Sequence, residues 1–183
     1  MKKLMYVIGK KAIIASKKKI DSKSKNKVLD QYINLIKKNK KLIINKNRKD
    51  VKLATKKKLR GNLIDRLTID QKKLNNICAA IKSVRKLKDP IDVVLGKWKR
   101  PNKLFIKRVS IPLGVVGVIF ESRPNVTSDT SSLCFKSGNA IILRGGSEAL
   151  NSNKILVSLF RKILKKNKID PNYVQLIEKK ERN

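Results

Sequence analysis

Two short stretches hold residue types at spacings suited to binding chemistry. One is Arg144-Gly145-Gly146-Ser147-Glu148 and the other is Phe120-Glu121-Ser122-Arg123-Pro124-Asn125-Val126-Thr127. Paired glycines let backbone approach a ligand closely, and a helix beginning at Ser147 would present N–H groups that favour an anion. Arg144 can grip a phosphate through two parallel hydrogen bonds, and Glu148 can accept from ribose hydroxyls. The same five residues also suit an ordinary turn, with glycine for geometry and serine as helix cap, and the pattern alone leaves both readings open. The dinucleotide fingerprint G-x-G-x-x-G is absent, because Gly114 and Gly117 lie at or within a strand and open no helix. The chain has no histidine. That excludes zinc sites of Cys/His type, Ser/His/Asp triads and imidazole acid–base chemistry, and no metal site is expected. Any proton transfer falls to Lys, Tyr, Asp, Glu or Cys.

The elements that must position these stretches follow from apolar periodicity. Val115 to Phe120 is an almost wholly apolar run, the pattern of a parallel strand covered on both faces. Thr127 or Ser128 is placed to cap a following helix that Gly138 ends in the left-handed conformation. Ala140 to Leu143 reads as a second buried strand. Ser147 then caps a helix with Leu156, Leu159 and Ile163 on its buried face, and Val174 to Ile177 is a third strand. The order strand, helix, strand, helix, strand is one half of a doubly wound sheet, in which ligands bind beyond the carboxyl ends of the strands.

Upstream the chain reads as helices. Leu4, Val7, Ile8, Ile14 and Ala15 recur loosely over Lys2 to Lys19, and Val28, Leu29, Tyr32, Ile33, Ile36 and Ile43 fall on one face of a second helix. Thr68-Ile69-Asp70-Gln71 has the capping-box form, with Leu74, Ile77, Cys78, Ile81 and Val84 as the buried stripe behind it and Asp89-Pro90 as its end. Apolar runs flanking Arg100-Pro101-Asn102-Lys103 suggest a hairpin. The expected organisation is a lysine-rich helical region over 1–90, a hairpin-like segment over 91–111 and a partial dinucleotide-binding βαβαβ unit over 112–183.

The 183 residues suit one domain or one and a fraction, which rules out a multidomain enzyme. The 47 Lys+Arg against 13 Asp+Glu leave a net charge of +34, which invites a nucleic-acid reading. Composition argues against it. Lys (37), Ile (22) and Asn (16) dominate while Arg numbers only 10, the signature of drift toward codons rich in A and T. Residues 1–108 carry a net +28, whereas 109–160 carry only +1 and hold five of the eight glycines, so function is expected there. No apolar run approaches the roughly 18 residues that span a bilayer, no signal-peptide pattern opens the chain, and two cysteines make no disulfide framework. A cytosolic protein is expected, without a membrane partner.

The segments Pro112 to Thr127 and Leu133 to Ala149 closely resemble the gamma-glutamyl phosphate reductase (glutamate-5-semialdehyde dehydrogenase) family of the aldehyde dehydrogenase superfamily. The resemblance extends through Leu63-Ile64-Asp65-Arg66-Leu67, Asp89-Pro90 and Trp98-Lys99-Arg100-Pro101-Asn102 upstream, and through Val174-Gln175-Leu176-Ile177-Glu178 downstream. It implies an α/β, aldehyde dehydrogenase-like fold: N-terminal helices followed by a partial, Rossmann-like parallel sheet. The implied reaction reduces L-glutamate 5-phosphate with NADPH to the semialdehyde and phosphate, in proline biosynthesis. A cysteine thiolate displaces phosphate, and hydride releases the aldehyde.

By that resemblance, Arg144, Gly145, Gly146, Ser147 and Glu148 hold the adenosine ribose and its 2′-phosphate. Asn125 serves the oxyanion, with Arg123 as its rival. Family members are longer, and their catalytic cysteine lies beyond the counterpart of Asn183. Cys78 and Cys134 read as buried core thiols rather than substitutes. The expectation is therefore a truncated or split N-terminal part, with a separately encoded C-terminal half as a partner and homo-oligomerisation left open. Two other readings are a basic protein whose lysine helices bind nucleic acid in a salt-dependent way, and a non-functional remnant of the enzyme.

Overall fold

A computed structural model describes residues 2–179. Five helices come first: α1 (Lys2–Ser16), α2 (Ser22–Lys38), α3 (Lys40–Lys56), α4 (Gly61–Leu67) and α5 (Gln71–Lys86). The second expected helix is in fact two. Asn39 leaves helical geometry at φ −102°, ψ 18°, and its side chain donates back to the Leu35 carbonyl at 2.8 Å, so Ile43 belongs to α3. Asparagine competes with the helix for its own backbone groups, which is why it breaks a run that apolar spacing makes continuous.

The stripe on α5 is buried throughout, from Leu74 to Val84. Its cap differs from the capping-box expectation. Asp70 accepts from the Lys73 N–H at 2.6 Å, while the Thr68 hydroxyl turns back to the Ile64 carbonyl at 2.7 Å. The helix also ends at Lys86, ahead of Asp89-Pro90.

Strands β1 (Val94–Lys99) and β2 (Phe105–Val109) then form an antiparallel ribbon whose turn places Lys103 at φ 66°. The main sheet follows: β3 (Val115–Ile119), α6 (Pro124–Lys136), β4 (Ala140–Arg144), a 3-10 turn (Ser147–Ala149), α7 (Leu150–Lys166) and β5 (Val174–Leu176). All pairings are parallel and the order is β3-β4-β5, as the βαβαβ reading requires. Central β4 is largely buried. The expectation that β3 is covered on both faces fails: it is an edge strand among the described residues, and Ile119 is 83% exposed.

Gly138 takes φ +72° after α6, as expected for a left-handed helix end. The caps assigned to Thr127 and Ser128 do not form, because α6 starts earlier, at Pro124 with Arg123 before it. Both hydroxyls are buried inside the fold instead. Thr127 donates to Asn153 Oδ1 at 2.9 Å, and Ser128 Oγ lies 2.9 Å from Tyr32 Oη.

One apolar core joins α1, α2, α5, α6, α7 and the sheet. Lysine is not confined to its surface. Lys25 is 2% exposed and paired with Asp89 at 2.9 Å, and Lys136 donates to Asn26 Oδ1 at 2.7 Å. Drift in codon usage does not account for these two, since each is held by a specific partner. No helix among the described residues is long and apolar enough to cross a membrane.

Candidate functional site

The carboxyl ends of the three parallel strands open onto a crevice of about 870 Å³. Its lining includes Phe120, Glu121 and Ser122 after β3, Arg144 at the end of β4 with Gly145 to Glu148 after it, and Ile177 and Lys179 after β5. Leu59 and Leu63 from the α3–α4 region also line it. The five residues singled out after the second strand therefore do share one site, at the place where parallel sheets bind ligands.

Their local geometry differs from expectation in two respects. Ser147 caps no helix through its side chain: it begins a 3-10 turn, and α7 starts only at Leu150. The N–H groups there are met from another element. Asp50 of α3, 1% exposed, accepts from Ser152 N at 2.7 Å and Ser152 Oγ at 2.6 Å through Oδ2. Through Oδ1 it accepts from Asn151 N at 3.2 Å and Asn151 Nδ2 at 2.8 Å. The expected anion site at this helix start is thus filled by a carboxylate of the chain itself.

Glu148 is also held. Ser122 Oγ donates to its Oε1 at 2.6 Å, which joins the β3 turn to the β4 turn. The carboxylate lies against Gly146 so closely that a Cβ there would overlap it, and a Cβ at Gly145 would overlap Asn153 Nδ2. At both positions the constraint is close approach rather than backbone angle, with Gly145 facing a buried amide and an aromatic ring and Gly146 the far end of a flexible side chain.

Arg123 and Asn125 sit elsewhere. They line a second groove of about 490 Å³ with Asp65, Arg66, Lys73 and Asp129, separate from the strand-end crevice. Asn125 Nδ2 donates to Asp129 Oδ2 at 3.0 Å, one helical turn away. Asp129 Oδ1 is buried with no hydrogen-bond partner among the described residues. Burial raises the Asp129 carboxyl above its ordinary value, and the Asn125 bond opposes that only in part.

A raised carboxyl stabilises the fold fully below its unfolded value, and loses that contribution as pH rises through the folded one. Asp129→Asn should therefore make the fold more resistant to urea than the parent at pH 7. The advantage should shrink toward pH 4, where the parent carboxyl takes up its proton. Urea midpoints at the two pH values check this, and a variant weaker than the parent at pH 7 refutes it.

Neither thiol is placed for nucleophilic work. Cys78 lies on the buried face of α5, and burial raises its thiol. Cys134 on α6 is pushed up to about 11, again by burial. A protonated thiol is a poor nucleophile, so both should resist iodoacetamide at pH 7.5 in the folded chain and react readily in urea. Mass spectrometry reads the difference, and prompt native alkylation of either cysteine contradicts it. Among the described residues no group of three or more His, Cys, Asp or Glu could hold a metal ion.

Periodicity did not reveal Asp50, Asn47 or Ser122. A faint signal for the first exists in hindsight, since Asp50 is the one acidic residue between Asp30 and Asp65 in a run crowded with lysine.

No protein-family model matches the chain. Among curated relatives, the gamma-glutamyl phosphate reductase of Nautilia profundicola is 42% identical over 158 residues, 86% of this chain and 38% of the relative. The crystal structure of gamma-glutamyl phosphate reductase from Thermotoga maritima superposes with a TM-score of 0.93 at 39% identity, over 97% of this chain and 43% of that one. An acetylating aldehyde dehydrogenase from Geobacillus thermoglucosidasius shares the fold at a TM-score of 0.71 and 13% identity, over 98% of this chain and 37% of that one. The chain spans about 40% of the length of the curated relatives it matches. Over the stretch it covers, the chain is similar to the N-terminal portion of gamma-glutamyl phosphate reductases.

Proposed function

We propose that this chain supplies the nucleotide-holding part of an NADPH-dependent reduction of L-glutamate 5-phosphate to L-glutamate 5-semialdehyde and phosphate, a step of proline biosynthesis. The observation that carries the reading is the strand-end crevice, with Arg144 to Glu148 on its wall, in a chain 42% identical to a gamma-glutamyl phosphate reductase. The residues present fit the adenosine ribose end of NADPH. Glu148, steadied by Ser122, offers a carboxylate to ribose hydroxyls, and Arg144 and Lys179 line the same crevice with cations suited to a 2′-phosphate. NADPH when bound would supply the hydride.

The rest of the reading concerns this chain's own groups. Asn125 has two amide N–H bonds, and Asp129 accepts one of them, which leaves the other to donate to the oxygen of the reacting acyl carbon. Arg123, in the same groove, is the alternative donor. The thiolate that displaces phosphate is not drawn from Cys78 or Cys134, whose thiols burial keeps protonated. The reading therefore places it on a complementing C-terminal segment that closes the site. The balance is one acyl phosphate, one NADPH and one proton giving one aldehyde, one phosphate and one NADP⁺.

The test assays the purified chain alone, and then with the separately expressed C-terminal half of a full-length relative. No turnover alone, turnover on mixing, and NADPH binding by the chain are the expected results. Absence of both NADPH binding and complemented turnover overturns the proposal.

A further inference from the structure

The start of α7 is met by more than one hydrogen bond from the lysine-rich helices. Asn47, one turn before Asp50 on α3 and 1% exposed, donates through Nδ2 to Ser152 Oγ at 3.0 Å and to the Leu67 carbonyl at 2.8 Å. Its Oδ1 accepts from Ile69 N at 2.7 Å, so both donors and the acceptor of this buried amide are used. Ser152 Oγ thus accepts from Asn47 while donating to Asp50. Ala149, at the end of the 3-10 turn, packs in a small buried cluster with Ala54 of α3 and Leu67 of α4. Polar and apolar contacts from α3 therefore clamp residues 149–152, which immediately follow the Arg144 to Glu148 turn.

The N-terminus of a helix ordinarily attracts phosphate, because its N–H groups lack partners and its dipole favours negative charge. In this chain a buried carboxylate already occupies two of those N–H groups. A pyrophosphate brought to the same place would lose the donors and meet the Asp50 charge. We infer that Asp50, backed by Asn47, is a positioning and specificity-determining residue for the nucleotide: it closes the α7 N-terminus to a cofactor phosphate and fixes the Gly145–Glu148 turn so that the crevice reads a ribose and its 2′-phosphate instead. This rests on the reading of that turn as a ribose site.

The test titrates the full chain with adenosine 2′-monophosphate and, separately, with inorganic pyrophosphate, following the backbone amides of residues 145–152 by NMR. The parent should bind adenosine 2′-monophosphate, and pyrophosphate should leave its Asn151 and Ser152 amides unmoved. In Asp50→Asn, a variant of nearly equal size, affinity for adenosine 2′-monophosphate should fall by roughly tenfold or more, and pyrophosphate should now shift the amides of Asn151 and Ser152. Ser152→Ala, which removes only the hydroxyl link, should weaken nucleotide binding to a smaller extent; it carries the nucleotide arm if Asp50→Asn does not fold.

The inference is overturned if pyrophosphate moves Asn151 and Ser152 in the parent, or if the variants match the parent on both ligands. Failure of the parent to bind adenosine 2′-monophosphate is a different result, since it removes the ribose reading of the turn. The exclusion of phosphate by Asp50 is then decided by the pyrophosphate arm alone.

Discussion

Replacing Phe160 with Ala should lower the free energy of unfolding by about 3–5 kcal/mol, the largest single effect expected in this core. The chain has only eight aromatic residues, and four of them make one cluster. The Phe160 ring on α7 lies 4.6 Å from Tyr32 of α2 and 5.6 Å from Phe135 of α6, and Phe135 in turn lies 5.7 Å from Tyr173 beside β5. Phe160 is fully buried, so truncation removes both its transfer free energy and its ring contacts, and leaves a void bounded by three elements. Tyr32 cannot easily swing into that void, because its hydroxyl is bound to Ser128 and to the Leu156 carbonyl. Urea unfolding with an unchanged slope should report the loss as a lower midpoint. Phe105→Ala on the exposed ribbon is the control, with an effect within about 0.5 kcal/mol. A Phe160→Ala cost as small as the control would show that the cluster repacks and does not organise the core.

The parts of this architecture that were legible in the residues are those governed by local pattern. Apolar runs at Val115 and Ala140, with a helical stripe at Leu156, Leu159 and Ile163 between them and Val174, specify strand, helix and strand with little dependence on anything distant. The stripe on α5 was legible for the same reason. What escaped the pattern was every feature in which a polar group serves a remote partner. Thr127 and Ser128 look like caps because hydroxyls near a helix start often are, yet Asn153 and Tyr32, distant in sequence, claim them.

Ser147 fails as a cap for a related reason: Asp50, about a hundred positions earlier, already meets the N–H groups of Asn151 and Ser152. Periodicity reports which face a residue lies on and says nothing about who completes its hydrogen bonds. The separation of Asn125 and Arg123 from the Arg144 turn was likewise invisible, since both turns follow neighbouring strands and only three-dimensional packing assigns them to different grooves.

Under the proposed nucleotide reading of the crevice, Gly145→Ala should weaken NADPH binding and the fold together. The added methyl would overlap Asn153 Nδ2 and come within about 3.0 Å of the Phe120 ring. Asn153 is fully buried and tied through its carbonyl oxygen to Thr127, so its amide has little room to retreat. The turn must move instead. Overpacking of this kind costs about 1–3 kcal/mol. If the whole of that cost falls on the bound geometry of the turn, affinity for NADPH drops by roughly 5- to 150-fold.

Gly146→Ala makes the informative comparison. The three atoms its methyl would meet first all belong to the carboxylate of Glu148, the far end of a flexible side chain, so the expected response is that the backbone stays and Glu148 is displaced from Ser122. If the crevice reads ribose through Glu148, both variants lose affinity, Gly146→Ala without a change in urea midpoint and Gly145→Ala with one. Calorimetric titration with NADPH alongside urea unfolding separates the two. Retained affinity in Gly146→Ala would show that Glu148 serves the fold of the turn rather than the ligand, and would leave Arg144 and Lys179 as the groups on which nucleotide recognition in this crevice depends.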